Sequence, residues 1–337
     1  MKRTLQSILT AAIITGVSAS LGSCDSVIYD YEGDCTVRYH VPFTFTRNIL
    51  EADAFASRVT GVTLYVFDKS GNLVFSKSES GPRLAQPGYS MEVSLDPGTY
   101  DMLAWCTGTS PTANPTAFVI GSGNTMQAFT ATLPLEGTSG ELSVDRDITP
   151  LFHGSVSGVS CKADDYSDVI LPVIDLTRDT HGVDVLLVNR DGREMTPSDF
   201  TVSITGDNSE MDCFNSLTGD KAFEYHPWSV TAAAAESKAS STSLFAEMTT
   251  GRLMVDRKPR LIITRNSDGE KVINLDLLST LILVKGHYNS HFTDQEYFDR
   301  MDRFELTFIL SDDLSWFTAG GININGWTVV PPQDQPL

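Results

Sequence analysis

The chain is poor in basic residues: 24 Lys and Arg stand against 43 Asp and Glu among 337 residues, a formal charge of −19. A phosphate backbone is gripped by clustered Lys and Arg. The short stretch Arg252, Arg257, Lys258 and Arg260 reads as solvated loop charge, so a nucleic-acid partner is excluded. Long apolar runs are scarce as well; after the N-terminus none approaches the roughly 18 residues of a spanning helix. CxxC is missing, which leaves a zinc or thioredoxin-type site unsupported. Gly154-Ser-Val-Ser-Gly158 imitates a nucleophile elbow but carries Val156 where the serine belongs. No Walker loop, no GxGxxG after a strand, no HExxH and no EF-type calcium loop occurs. His287 and His291 would share a helix face, yet Gly286, Asn289 and Ser290 around them indicate a turn. The pairs Asp164–Asp165 and Asp312–Asp313 read as turn caps, not as a glycosidase pair. These absences point away from an enzyme and from any cofactor, metal or small-molecule substrate.

What is present begins with a targeting segment. Lys2 and Arg3 precede an apolar run from Ile8 to Val17, as in a signal peptide. Leu21-Gly-Ser-Cys24 resembles a bacterial lipobox, in which small residues fit the peptidase cleft and the cysteine thiol is acylated. The expectation is that residues 1–23 are removed, that Cys24 carries the lipid, and that 24–34 form an acidic tether. Acyl chains at about 0.8 kcal/mol per buried CH₂ hold a soluble domain on a membrane without a spanning helix. Four further cysteines, Cys35, Cys106, Cys161 and Cys213, permit one or two disulfides of unknown pairing, or free buried thiols.

The rest of the chain alternates with period two between Gly, Asp, Asn and Pro turns, the pattern of an all-β fold. Length alone indicates about two domains. A first strand spans 37–45, and 50–57 reads as a short helix. Residues 62–67 and 73–75 form a hairpin around Gly71, and 91–95 with 100–105 form a second around Asp96-Pro-Gly98. The polar stretch 162–168 marks a boundary between domains at 35–163 and 164–337. Residues 183–189 and 260–264 end in Gly-containing turns like the first hairpin, 231–243 reads as a flexible loop, and 322–330 as a last strand. Thr293 and Glu296 make a capping box for a helix within 292–303. Of four tryptophans, Trp105 and Trp327 fit core or edge packing, and Trp228 after Pro227 is the expected exposed stacker.

Certain of these pieces, in their order and spacing, resemble a known family. They are Cys24-Asp-Ser-Val-Ile-Tyr-Asp30 and Gly33-Asp-Cys35, Asp53-Ala-Phe55 running into Val62-Thr-Leu-Tyr-Val-Phe-Asp68, and Asp96-Pro-Gly-Thr-Tyr100 with Ala104-Trp-Cys106. Asp294-Gln-Glu-Tyr-Phe-Asp-Arg300, Phe304-Glu-Leu-Thr-Phe308 and Ile324-Asn-Gly-Trp327 complete them. The mature chain resembles the lipid-anchored fimbrial anchor and assembly subunits of fimbrillin-type (type V) pili in Bacteroides-like bacteria. The resemblance implies two tandem antiparallel β-sandwiches of transthyretin-like topology. It implies an outer-membrane lipoprotein, facing the cell exterior, that tethers a fimbrial shaft and limits its length through strand-type contact with shaft subunits. In that family, shaft subunits lose an N-terminal segment to an arginine-directed protease, which frees a groove for a neighbour's strand. Arg38 and Arg47 lie between Cys24 and the first core, so an anchor must keep both uncut. Residues 322–330 and the tail 331–337 are the expected donor or edge segments. The alternatives are a surface glycan-binding lipoprotein, which would show exposed aromatics on one face, and a fimbrial tip adhesin of the same fold.

Overall fold

A computed structural model of the chain describes residues 37–138, 140–162, 168–234, 242–286 and 289–330. Cys24, Cys35 and the segments 1–23 and 24–34 lie outside these residues, as do His287 and the tail 331–337. The fold is all-β, with a few short helices, and its strands form sandwiches with no barrel.

In the first sandwich, Tyr39–Thr44 lies between Ser90–Val93 on one side and Val169–Ile170 and Ile174–Asp175 on the other. The facing sheet runs Thr177–Arg178, Leu151–Cys161, Gly98–Thr107, Gly61–Phe67, Leu73–Ser80. Alternation is strict where one face meets the core: Tyr39, Val41 and Phe43 are buried, as are Val62, Leu64 and Val66. At Gly154 a Cβ would stand 2.5 Å from the Ile174 side chain and 2.8 Å from that of Leu176, so only glycine allows this approach. Strand Gly98–Thr107 is buried on both faces. Its second face, with Leu103 and Trp105, is covered by Phe129, Ala131, Met211 and Cys213, and Trp105 donates its indole N–H to Phe129 O at 3.0 Å.

The second sandwich pairs two six-stranded sheets over one large core. One runs Ser229–Ala234, Thr242–Gly251, Thr180–Asn189, Arg303–Leu310, Ile322–Ile324, Trp327–Val329. The other runs Glu270–Asp276, Arg260–Arg265, Phe200–Gly206, Phe223–Tyr225, Glu141–Val144, Glu136–Thr138. Strands exchange across position 163: Glu136–Thr138 and Glu141–Val144 join later strands, while those at 169–178 join earlier ones.

The first hairpin forms around Gly71 at φ 79°, and Asp294–Arg300 is a helix with the Thr293/Glu296 capping box. Other expectations are corrected. Ser90–Val93 and Gly98–Thr107 belong to different sheets; the Asp96-Pro-Gly98 corner carries the chain between them, locked by Tyr100 Oη donating to Asp96 O at 2.7 Å. Thr180–Asn189 likewise makes no hairpin, since Phe200–Gly206 joins the opposite sheet. The helix near 50–57 shrinks to Phe55–Arg58, because Asn48 Nδ2 holds Phe45 O and Ala52 O in a loop. Residues 231–234 and 242–243 lie in paired strands, small side chains being no obstacle to a ladder. The last strand is a hairpin, Ile322–Ile324 with Trp327–Val329, turning at Asn325 and Gly326 with φ 49° and 84°.

Candidate functional site

The first strand is the feature on which an anchoring role turns. Its register on the antiparallel side is Tyr39↔Val93 to Pro42↔Ser90. On the parallel side it is Tyr39↔Val169, His40↔Ile170, Phe43↔Ile174 and Thr44↔Asp175. The parallel ladder breaks beside Pro42, which has no N–H to donate, and resumes one residue later. Both edges are therefore used, and Tyr39, Val41, Phe43 and Phe45 are at most 4% exposed. The ends are fastened too. Val169 N donates to Arg38 O at 2.8 Å, and Tyr39 Oη donates to Lys162 O at 2.8 Å. Beyond the strand, Asp175 accepts from Thr44 Oγ1, Thr46 N and Thr46 Oγ1. Arg300, lying over the Phe292 ring, donates to Thr46 O and Asn48 O at 3.2 Å each. The peptide bond after Arg47 is thus gripped from both sides.

Most exposed sheet edges carry charge: Lys77 and Glu79 on Leu73–Ser80, Glu136 on Glu136–Thr138, and Glu270, Lys271 and Asp276 on Glu270–Asp276. Such charges disfavour strand addition. Ser229–Ala234 and Trp327–Val329 carry none. At the latter edge Trp327 is 69% exposed, with Val330 and Leu283 also exposed. Trp228, expected to be the exposed stacker, is instead half-buried with its indole N–H enclosed. A cleft of about 460 Å³ lies on the second sandwich, lined by Glu141, Ser143, Glu224 and His226 together with Leu142 and Phe223.

Cys106, Cys161 and Cys213 are buried free thiols. Burial pushes all three thiols up, Cys161 to about 11, which keeps them protonated and unreactive. Among the described residues no cluster of His, Cys, Asp or Glu is arranged to hold a metal; His291 faces Glu51 at 3.4 Å.

Sequence reasoning missed Arg252, which is 9% exposed and not on a solvated loop. Its Nε and Nη2 donate to the two oxygens of Asp299 at 2.9 and 2.7 Å, Asp179 lies at 3.9 Å, and Nη1 donates to Asn215 O. Burial raises Asp179 to about 7, the Arg252 charge and Asn215 opposing it. A signal for this burial existed only in the Asp299 of the capped helix, placed to meet a buried cation once that helix docks.

A model of the family of fimbrillin-A associated anchor proteins Mfa1 and Mfa2 matches residues 31–331. Among solved structures, a candidate adhesin of Bacteroides thetaiotaomicron VPI-5482 is 26% identical with a TM-score of 0.73, covering 88% of this chain and 97% of its own. A candidate polysaccharide-binding protein of that organism is also 26% identical, TM-score 0.73, with 89% and 100% covered. The fimbrial anchor protein Mfa2 from Porphyromonas gingivalis has a TM-score of 0.63 at 16% identity over 88% of this chain and 99% of its own, a likeness of fold. No curated protein matches the chain in sequence.

Proposed function

Because the chain belongs to the fimbrillin-A associated anchor protein family, we propose that it is a lipoprotein that fixes the base of a fimbrial shaft to the outer membrane and limits its length. Cys24 carries the acyl chains, the segment up to residue 34 is a tether, and the protein faces the cell exterior. The observation that carries this reading is the first strand, Tyr39–Thr44, with partners on both of its edges. A subunit whose first strand has been cut away receives its neighbour's strand in the vacated slot. Here the slot holds the protein's own strand, and that strand leads directly back towards Cys24. A subunit built this way accepts no strand in its first sandwich and engages a single neighbour, as a chain terminus does. Main-chain pairing at a sheet edge, with alternate side chains filling pockets, supplies the contact. Trp327–Val329 is the edge we assign to it, since it lacks charge and exposes a tryptophan, a residue enriched where interfaces bind tightly.

Deleting the gene and imaging cells and culture supernatant by electron microscopy tests the proposal. Overlong or shed fibres are the expected result. Unchanged fibres together with lost binding of a labelled polysaccharide would instead favour a glycan-binding surface protein, for which the exposed Trp327 and the cleft on the second sandwich would be the binding features.

A further inference from the structure

On the anchor reading, tension enters the molecule from Cys24 and leaves through the edge Trp327–Val329. Which bonds resist it depends on how the first strand lies between those two points. Its start is at the end of the first sandwich farthest from the second: Tyr39 Oη donates to Lys162 O, just past the end of Leu151–Cys161. Leu151, at the other end of that strand and roughly 30 Å away at the usual rise per residue, accepts from Asp179 N. Thr180, the next residue, begins the second sandwich. The first strand finishes at this same junction, where Arg300 of the second sandwich holds Thr46 O and Asn48 O and Ile49 packs against the second core. The edge Trp327–Val329 lies beyond the junction, since Trp327, Ile324, Leu306 and Val185 stand in one row. Tension arriving at Arg38 thus pulls the strand along its own axis, away from the second sandwich.

The parallel neighbour points the same way. Val169 stands beside Tyr39 at the far end and Asp175 beside Thr44 at the junction. From there the chain passes through Thr177–Arg178 into Thr180–Asn189, an inner strand of the second sandwich. Load handed from the first strand to 169–175 therefore reaches the second core along a short covalent path, bypassing the other strands of the first sandwich. Interstrand hydrogen bonds stand across the strand axis. A pull along that axis strains them together, whereas a pull across it opens them one at a time. Here they occupy both edges: Val169 N, Leu171 N and Leu176 N donate to Arg38 O, His40 O and Thr44 O at 2.8, 2.9 and 2.8 Å, and the opposite edge pairs from Tyr39↔Val93 to Pro42↔Ser90. Sliding the strand would also draw Tyr39, Val41, Phe43 and Phe45 out of the core at once and break the hold of Asp175 on Thr44 and Thr46.

We infer that the first strand is a shear clamp, which bears the tension between membrane and shaft along its own axis and passes it through 169–178 into the second sandwich. The inference rests on the anchor reading for where the tension enters and leaves.

Stretching the full mature chain at constant load, between handles fused to residues 24 and 337, tests it. The expected first event frees residues 38–135 together, because 136–144 stay paired in the second sandwich. At the length of an extended residue this is a gain of roughly 300 Å. Val41→Ala strips packing from the pulled strand at a position 0% exposed and should speed that event about tenfold at a fixed load. Leu103→Val, on the sheet face turned towards Phe129 and Met211 and away from the first strand, should lower Tm by a similar few degrees yet change the rate by less than about twofold. A strand that only stabilised the fold would make the two rates follow the two Tm values. That outcome, or a first gain of another length, overturns the clamp. Should either variant fail to fold, the first gain in the wild type decides alone. The measurement uses neither fibre nor membrane, so its failure leaves the anchor reading standing. Retention of Cys24→Ser in the membrane fraction would sink the lipid anchor while leaving the pulling result intact.

Discussion

Arg252 stands in sequence among Arg257, Lys258 and Arg260, and nothing local separates a buried cation from three peripheral ones. The difference is made by Asp299, 47 residues away, and by Asp179, and pairing across such distances has no periodicity to read. Removing the guanidinium leaves two carboxylates buried with no counter-charge. Arg252→Met should lower unfolding free energy by about 3–5 kcal/mol in urea titration, whereas Lys258→Met should change it by less than about 0.5 kcal/mol. An equal effect of both would place Arg252 on the surface in solution. Two histidines extend the same lesson. His153, donating from Nε2 to Cys213 O at 2.9 Å, and His181 are both depressed to about 4 by burial. A depressed folded value means the unfolded chain binds protons first, so the stability they contribute is full above about 6.5 and lost as pH falls towards 4. His153→Gln should flatten the acid limb of the stability curve between those values, and an unchanged limb would mean that His153 is solvated. Sequence offered no warning of either histidine, because burial is a property of what other segments place around a side chain.

Elements were more legible where a short-range rule dictates them. The Gly71 turn, the Thr293/Glu296 box and the alternating first strand depend on residues within a few positions of one another, and each stands where the pattern puts it. The failures are elements whose partner is distant. Ser90–Val93 and Gly98–Thr107 look like a hairpin because both alternate and a Pro-Gly turn divides them. Yet each pairs with strands far along the chain, Tyr39–Thr44 for one and Gly61–Phe67 for the other. The first strand itself gives an element-scale prediction. With both edges paired and its exit clamped by Arg300, limited trypsin digestion of the folded protein should cut neither after Arg38 nor after Arg47, and the amides of 39–41, 43 and 44 should be among the last to exchange. Val41→Asp, placing a charge at a position 0% exposed, should open the strand and bring both cleavages forward. Prompt cutting of the wild type at either arginine would remove the basis for a permanently occupied slot.

At the scale of the molecule, the proposed role asks three properties to coexist: strong acidity, attachment to a membrane and attachment to a polymer. No described helix is long and apolar enough to cross a membrane, and a chain with 43 acidic against 24 basic residues gains nothing from an anionic surface. On the proposed reading, acyl chains at Cys24 supply the membrane attachment, and the edge Trp327–Val329 of the second sandwich supplies the polymer attachment. These two attachments separate experimentally. Cys24→Ser removes the thiol to be acylated and touches none of the described contacts, so the protein should fold with unchanged Tm but leave the membrane fraction, and fibres should be shed with it attached. Trp327→Ala removes a side chain 69% exposed and so should cost little stability. It should leave the protein in the membrane fraction while fibres are shed without it, a loss of at least about tenfold in co-isolation if the tryptophan contributes the 2 kcal/mol typical of an interface hot spot. If Cys24→Ser stays in the membrane fraction, the lipid anchor is wrong while the shaft contact stands. If fibres shed from the Trp327→Ala cells still carry the protein, the edge Trp327–Val329 is wrong while the lipid anchor stands. A single deletion strain gives shed fibres under either failure and cannot separate them, so the pair of point variants resolves which end of the molecule holds what.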